Sequence, residues 1–239
     1  MSLSWLNPTE APAFPPTSQA LTEPNGLLAI GGSLDANWLL SAYSQGIFPW
    51  YEEGQPLLWW SPDPRLILEP SRIVVSRSLR KLIRKRVYKI SFDADFLSVI
   101  SACQSSKGRK ESTWITSEMR LAYLNLHKLG HAHSVEVWHD DKLVGGLYGI
   151  AVGKVFFGES MFSLQANASK LALVALSRQL QVWGFGLIDC QVYSDHLVSM
   201  GAVLLSRMDF QDALTPLLSS RTQSGAWQFN LENLLKASS

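Results

Sequence analysis

The chain has 239 residues, 46% hydrophobic and 17% charged, enough apolar material for one large domain or two small ones. No run approaches the roughly 18 apolar residues of a membrane span. The start lacks a basic n-region and an apolar h-region, so no leader peptide is expected, and two cysteines, Cys103 and Cys190, are too few for a disulfide framework. These features together predict a reducing, cytoplasmic setting. The net charge of +1 conceals polarity along the chain. Residues 1–64 hold six acids and no Lys or Arg, residues 65–110 hold 12 basic residues against three acids, and the rest is near balance. Such segregation points to a surface that meets a polyanion rather than to a generally basic protein.

In chain order, "AIGGSLDANWLLSAYSQG" predicts a Gly turn, Ser33 as N-cap, a helix from Leu34, and Gly46 just past its end. "GGS" lacks the Lys and the spacing of a phosphate-binding P-loop. The stretch from Gly46 to Arg65, "GIFPWYEEGQPLLWWSPDPR", sets Phe48, Trp50, Tyr51, Trp59 and Trp60 among four prolines. That proline density predicts an irregular loop. Three tryptophans are more aromatic surface than a connector needs. Composition and charge both change near Pro62–Pro64, which predicts a small N-terminal domain over 1–64 and a larger one over 65–239.

"RLILEP" reads as an apolar strand. From Ser76 to Arg86, Leu79, Leu82 and Ile83 share one helical face, and Arg77, Arg80, Lys81, Arg84 and Lys85 share the other. Ser76 is the expected N-cap, and Arg86, turned toward the apolar side, marks the end. A solvated face usually mixes signs, yet no acid lies between Glu69 and Asp93, so phosphate binding is favoured. "SEMRLAYLNLHKLG" predicts a helix that buries Met119, Tyr123 and Leu126 and stops at Gly130. Three strands follow, over 133–139, 142–151 and 154–162, with turns at Asp140–Asp141 and Gly153. A helix capped by Asn167 and closed by Gly184 leads to a buried strand over 187–193. Meander, helix, strand is an α+β order.

Strand alternation places Ile188, Cys190 and Val192 on one face and Leu187, Asp189, Gln191 and Tyr193 on the other. Cys190 among aliphatics reads as a core thiol. Asp189 and Gln191 are then close enough to meet, as a plain polar pair or as an Asp that orients an amide. Glu159, in "FFGESMFS", is a carboxylate amid apolar side chains. It needs a partner, either a Lys or Arg of the protein or a cationic substrate. His127, His131, His133 and His139 lack metal-ligand spacing with a Cys or third carboxylate, so no metal is expected. No G-x-S-x-G elbow supports a serine hydrolase.

The strings "LLAIGGSL", "GIFPWY", "LLWWSPDPR", "TWIT", "GHAHSVEVW", "LVGGLYGI", "FFGESMFS", "NASK" and "LIDCQV", followed by "SDH" and "SMGA", run in order from Leu27 to Ala202. Together they resemble the leucyl/phenylalanyl-tRNA–protein transferase family. The resemblance implies a small N-terminal domain joined to a GNAT-like acyltransferase domain with a mixed sheet, α+β in class. It implies transfer of Leu or Phe, less readily Met, from aminoacyl-tRNA to an N-terminal Arg or Lys of an acceptor protein, which marks that protein for N-end-rule degradation. A cytoplasmic monomer with no cofactor and no membrane contact is expected. Leu147 and Leu180 stand where bulkier or more flexible apolar residues are expected.

On this reading Gln191, oriented by Asp189, accepts a hydrogen bond from the attacking amine and aims its lone pair, and Asp189 offsets positive charge developing there. Glu159 pairs with the donor's α-ammonium or with the acceptor's cation. Trp50 and Trp114 offer stacking surfaces for the terminal adenosine. Phe156, Met161, Leu147, Leu180 and Ile188 (or Leu187) supply the apolar pocket. Trp59 and Trp60 are expected to seal the interface between the domains. Two rivals remain: an N-acetyltransferase using acetyl-CoA, although no glycine-rich pyrophosphate loop precedes Asn167, and a non-catalytic RNA-binding module, which leaves Asp189, Gln191 and Glu159 without a role.

Overall fold

The structure is a computed structural model that describes residues 3–105, 115–223, 225–230 and 232. Its first part contains β1 (Ser4–Leu6), β2 (Leu27–Gly31), α1 (Ala36–Tyr43), β3 (Phe48–Pro49) and β4 (Leu58–Trp60). The four strands form one sheet in the order β1-β2-β4-β3. The aromatic and proline-rich stretch, expected to be irregular, thus contributes two short antiparallel strands, Phe48 opposite Trp60 and Pro49 opposite Trp59. Pro49 is tolerated because β3 is an edge strand, where a missing N–H breaks no ladder on the open side. The first helix begins two residues later than predicted. Its N-cap is Asp35, because the Ser33 hydroxyl accepts the Asp35 N–H at 3.1 Å in a turn before the helix starts.

From Arg65 a larger sheet takes over. It is built from β5 (Arg65–Leu68), β6 (Lys89–Phe92), β7 (Ala132–His139), β8 (Lys142–Val152), β9 (Val155–Ser163), β10 (Leu187–Gln191) and β11 (Val203–Leu205). The spatial order is β11-β5-β10-β9-β8-β7-β6. Every pair is antiparallel except β9 and β10, which run parallel. The intervening helices are α2 (Arg77–Lys85), α3 (Phe96–Ser105), α4 (Ser117–Lys128), α5 (Ala168–Val182), α6 (Asp195–Val198) and α7 (Arg207–Leu218). The α+β class and the mixed sheet are as expected.

Helix ends follow local chemistry. Ser76 caps α2 by accepting the Leu79 N–H at 3.2 Å, and Arg86 ends it in a left-handed conformation at φ 51°. Thr116 caps α4 through the Met119 N–H, and Met119, Tyr123 and Leu126 are buried. Asn167 stands at the α5 N-cap but makes no side-chain bond there. Asp140 and Asp141, at φ 47° and 56°, close the β7–β8 hairpin as a primed turn.

Alternation along the strands splits the apolar core across the two faces of the large sheet. Val135, Val137, Leu147, Phe156 and Ile188 pack with α5 and with Leu79 and Ile83 of α2. Tyr148, Ile150, Phe157 and Leu187 pack with α3, α4 and the first sheet's Trp38, Tyr43 and Trp59 in a single cluster. Trp59 is fully buried there, 4.8 Å from the Phe14 ring, and its indole N–H donates to Gly31 O at 2.8 Å. Among the described residues no helix is long and apolar enough to cross a membrane.

Candidate active site

The parallel pairing of β9 and β10 runs from Leu187–Val155 to Asp189–Phe157 and stops. Beyond it lies a cavity of about 320 Å³. Its walls come from both strands past that point, from α5 and α6, and from the Phe48–Trp50 segment of the first sheet. Two irregularities in the ladders build this place. Gly149 pairs with Gly158 while the adjacent Tyr148 pairs with Ser160, so Glu159 is an extra residue in β9. Asp189 pairs with Ile67 while Gln191 pairs with Leu66, so Cys190 is extra in β10. Such bulges re-aim side chains. The first lets Phe156 and Met161, five residues apart, line the same cavity. Gly149 has room for no side chain, since a Cβ would lie 2.6 Å from the Phe156 ring.

The second bulge overturns the expected alternation. Gln191 sits at φ 64°, a conformation that costs a non-glycine residue free energy unless it is held. Asp189 supplies part of the hold, its Oδ1 accepting the Gln191 backbone N–H at 2.9 Å. It does not hold the Gln191 side chain, as the period-two reading expected. Its carboxylate is bound instead by Arg65, with Nε 2.9 Å from Oδ1 and Nη2 2.6 Å from Oδ2. This fork is fully buried, and the guanidinium lies 4.7 Å from the Phe48 ring centre and 4.8 Å from that of Phe210. A bidentate, aromatic-flanked pair of this kind is rigid, and neither charge is tolerable alone. Arg65 escaped the sequence reading. The signal available was its place as the first basic residue of the chain, at the end of the proline-rich stretch.

The Gln191 amide is held by Glu159: Nε2 donates to Oε1 at 3.3 Å. Glu159 has no cationic partner among the described residues, so the protein cation offered as one alternative is not there. Its Oε1 lies 2.7 Å from the Tyr43 hydroxyl and its Oε2 2.7 Å from the Tyr123 hydroxyl. The two hydroxyls are 2.8 Å apart. Burial pushes the carboxyl up from its ordinary 4.5 to about 7, and the phenolic hydrogen bonds offset only part of that. Both phenols are raised well above 10.0, first by burial and then by the nearby carboxylate. Tyr43 and Tyr123 were also missed. Tyr123 read as one buried position of an amphipathic helix, and nothing in the sequence links either tyrosine to Glu159.

Of the predicted pocket residues, Leu147, Phe156, Met161 and Ile188 line the cavity. Leu180 does not: it is buried in the core behind it. Leu173 and Leu176 of α5 form that wall, and Leu180 lies on the same stripe one turn, about 6 Å, further along the axis. Leu187 packs on the opposite face. Cys190 packs against the core and also lines the cavity, and burial pushes its thiol up, which disfavours a nucleophilic thiolate. Trp50 stands at the cavity, 43% exposed. Its ring lies 5.6 Å from that of Trp60, whose indole N–H donates to the Trp50 carbonyl at 2.6 Å. Trp114 lies outside the described residues. Arg77, Arg80, Lys81, Arg84 and Lys85 are all exposed along α2. The site thus joins an apolar cavity, one flat exposed indole and a polar floor of Gln191 and Glu159.

The model of the leucyl/phenylalanyl-tRNA protein transferase family matches residues 67–215, and that of the family's N-terminal domain matches residues 32–63. A leucyl/phenylalanyl-tRNA–protein transferase of Azoarcus sp. strain BH72 is 56% identical over 208 residues, covering 87% of this chain and 88% of the relative. Another from Pseudomonas fluorescens strain SBW25 is 52% identical over 225 residues, covering 94% and 99%. Among solved structures, an aminoglycoside acetyltransferase from an uncultured soil metagenomic sample is 15% identical, covering 61% of this chain and 97% of that one, at a TM-score of 0.38. That likeness is too loose to bear on the chemistry. On its family matches and its relatives, the chain belongs to the leucyl/phenylalanyl-tRNA–protein transferase family.

Proposed function

We propose that this protein transfers Leu or Phe, and less readily Met, from aminoacyl-tRNA to an N-terminal Arg or Lys of an acceptor protein, in the cytoplasm and as a monomer, so marking the acceptor for degradation. The observation that carries the reading is the cavity itself, walled largely by apolar side chains, with Glu159 and Gln191 side by side among its polar groups, in a chain of this family. Leu147, Phe156, Met161, Leu173, Leu176 and Ile188 enclose the donor side chain. Such a wall separates similar hydrocarbons poorly, which suits tolerance of all three. Trp50 stacks the terminal adenosine. The exposed cations of α2 follow the phosphates of the acceptor stem.

The acyl donor is an ester, so aminolysis needs a neutral amine held against the carbonyl more than it needs a strong base. A protein α-amine has a pKa of about 7.7–8.0, which leaves a usable neutral fraction near neutrality. With Gln191 Nε2 engaged by Glu159, the amide carbonyl is the end left to accept from that amine and aim its lone pair. The nitrogen bonds to the ester carbon, the carbon–oxygen bond to ribose breaks, and one amine proton passes to the ribose oxygen. Asp189 acts through the backbone: braced by Arg65, it fixes the turn that presents Gln191. The residue pairing differs from the sequence expectation, while the outward-facing carbonyl is the same.

The test is to incubate the protein with radiolabelled Leu-tRNA and a peptide beginning with Arg, beside a reaction containing acetyl-CoA. Label entering the peptide is expected. Turnover of acetyl-CoA with no label transferred would mean an acetyltransferase, and tRNA binding without either would mean a binding module.

A further inference from the structure

Four oxygens close a circuit on the cavity floor. Glu159 Oε1 is 2.7 Å from the Tyr43 hydroxyl, that hydroxyl is 2.8 Å from the Tyr123 hydroxyl, and the latter is 2.7 Å from Glu159 Oε2. Each is an O–H···O distance, and each such bond needs one proton. The two phenols bring two protons between them. An ionised carboxylate brings none. Whichever way the phenols then turn, one pair of oxygens faces lone pair to lone pair. A protonated carboxyl supplies the third proton. With that proton on Oε2, Oε2 donates to Tyr123, Tyr123 to Tyr43 and Tyr43 to Oε1. Oε1 also accepts the Gln191 Nε2–H at 3.3 Å, and every donor and acceptor is matched.

We propose that Glu159 stands in the free site as a neutral carboxylic acid that completes this circuit, and that it gives its proton up to solvent when the α-ammonium of the aminoacyl group docks beside it. Tyr43 and Tyr123 are then positioning residues that fix the carboxyl in the circuit. An apolar amino-acid side chain enters a cavity whose floor carries no free charge, and the carboxylate appears only when a cation is there to meet it. The first half of the proposal stands on the circuit alone; the second rests on the transfer reading above.

The other ionisable groups around Glu159 agree. Tyr148 of β8 has its ring 5.5 Å from that of Tyr123. Asp189 of β10 raises the carboxyl further, and Arg65 of β5 is spent on Asp189 at 2.6 Å. Cys190 and His196 line the same cavity, and burial, then the charge of Lys170, keep the imidazole low. α3 brings the buried thiol of Cys103, while α5 and α7 turn Leu173, Leu176, Phe210 and Leu214 inward. Burial is the largest effect, and with the opposing hydrogen bonds included Glu159 stands at about 7 against an ordinary 4.5. A folded value raised above the unfolded one gives stability that is complete below the ordinary value and lost as pH climbs through the raised one.

Glu159→Gln separates the two protonation states. An amide donates from Nε2 to Tyr123 and accepts at Oε1 from Tyr43, so it copies the neutral acid and not the carboxylate. The decisive experiment labels glutamate carboxyls with ¹³C, identifies the Glu159 signal by its loss in Glu159→Gln, and titrates the free protein. A midpoint near 7 is expected; one in the ordinary carboxylate range overturns the neutral acid. In parallel, the melting temperature of wild type should fall relative to that of Glu159→Gln as pH rises from 4.5 to about 7, and parallel curves over that window would contradict the circuit. For the second half, an amide-linked phenylalanyl-adenosine is bound at mildly acid pH by calorimetry in buffers of different ionisation heat. Close to one proton released per mimic is expected, and none released overturns the coupling. A mimic that does not bind overturns that half and counts against the transfer reading, while the free-protein titration still decides the first.

Discussion

On α2, Arg77, Arg80, Lys81, Arg84 and Lys85 face solvent in a segment with no acid from Glu69 to Asp93. Behind the cavity floor, Arg65 and Asp189 are sealed from water 2.6 Å apart, and on the floor Glu159 meets two phenols and an amide. The two regions use charge in opposite ways. Water and salt screen the first beyond about 10 Å, so each exposed cation contributes little to the fold. The second is unscreened, and removing one partner strands the other. Exposed charge can therefore be altered with small cost and graded effect, whereas buried charge fixes geometry and fails abruptly.

The largest break in that contrast comes from Asp189→Asn. It should cost about 3–5 kcal/mol of stability, because it leaves the Arg65 guanidinium buried without its carboxylate. It should also loosen the brace behind Gln191, because an amide cannot accept both bonds of the Arg65 fork, so transfer falls more than the loss of folded protein explains. Urea unfolding checks the first part. A cost below about 1 kcal/mol would mean that water reaches the pair and that the contrast fails.

Trp50→Ala sharpens the comparison at the edge between the two regions. Loss of one stacked base is worth about 1–3 kcal/mol, so the KM for aminoacyl-tRNA should rise while that for the Arg-led peptide holds. An equal change for both substrates would make Trp50 a packing residue. The smallest effect belongs to α2. The pair of changes Arg80→Ala and Lys81→Ala should move stability by less than about 0.5 kcal/mol. Yet it should reduce the slope of log K for tRNA against log salt by about one to two, alike for Leu-tRNA and Phe-tRNA. An unchanged slope would take α2 off the tRNA path.

What could be read beforehand follows the same division. The basic face of α2, its Ser76 cap and the meander from β7 to β9 rest on local periodicity, and each lies within two residues of its expected place. The cavity's apolar wall was also largely legible, because Leu147, Phe156, Met161 and Ile188 sit among strand residues of clear pattern. The floor was not. Arg65 and Asp189 are 124 positions apart, and Tyr43 lies 116 positions from Glu159, so no local rule joins them. Period two placed Gln191 on the Asp189 side chain, and the bulge at Cys190 removes it from there. Leu180 shares a stripe with Leu173 and Leu176, and only the depth of the cavity along α5 excludes it. Pro49 argued against a strand until the edge position of β3 was known.

The central claim is that the cavity past the end of the β9–β10 pairing holds the transferred amino acid's side chain. The direct measurement is the ratio of kcat/KM for Phe-tRNA to that for Leu-tRNA in Met161→Ala. Met161 lines the cavity and is only partly buried, so its truncation enlarges the space without hollowing the core. The ratio should rise about tenfold in favour of Phe, the low end of what a methylene-sized difference in a hydrophobic pocket discriminates. A ratio equal to that of wild type, with both rates intact, would place the amino acid elsewhere.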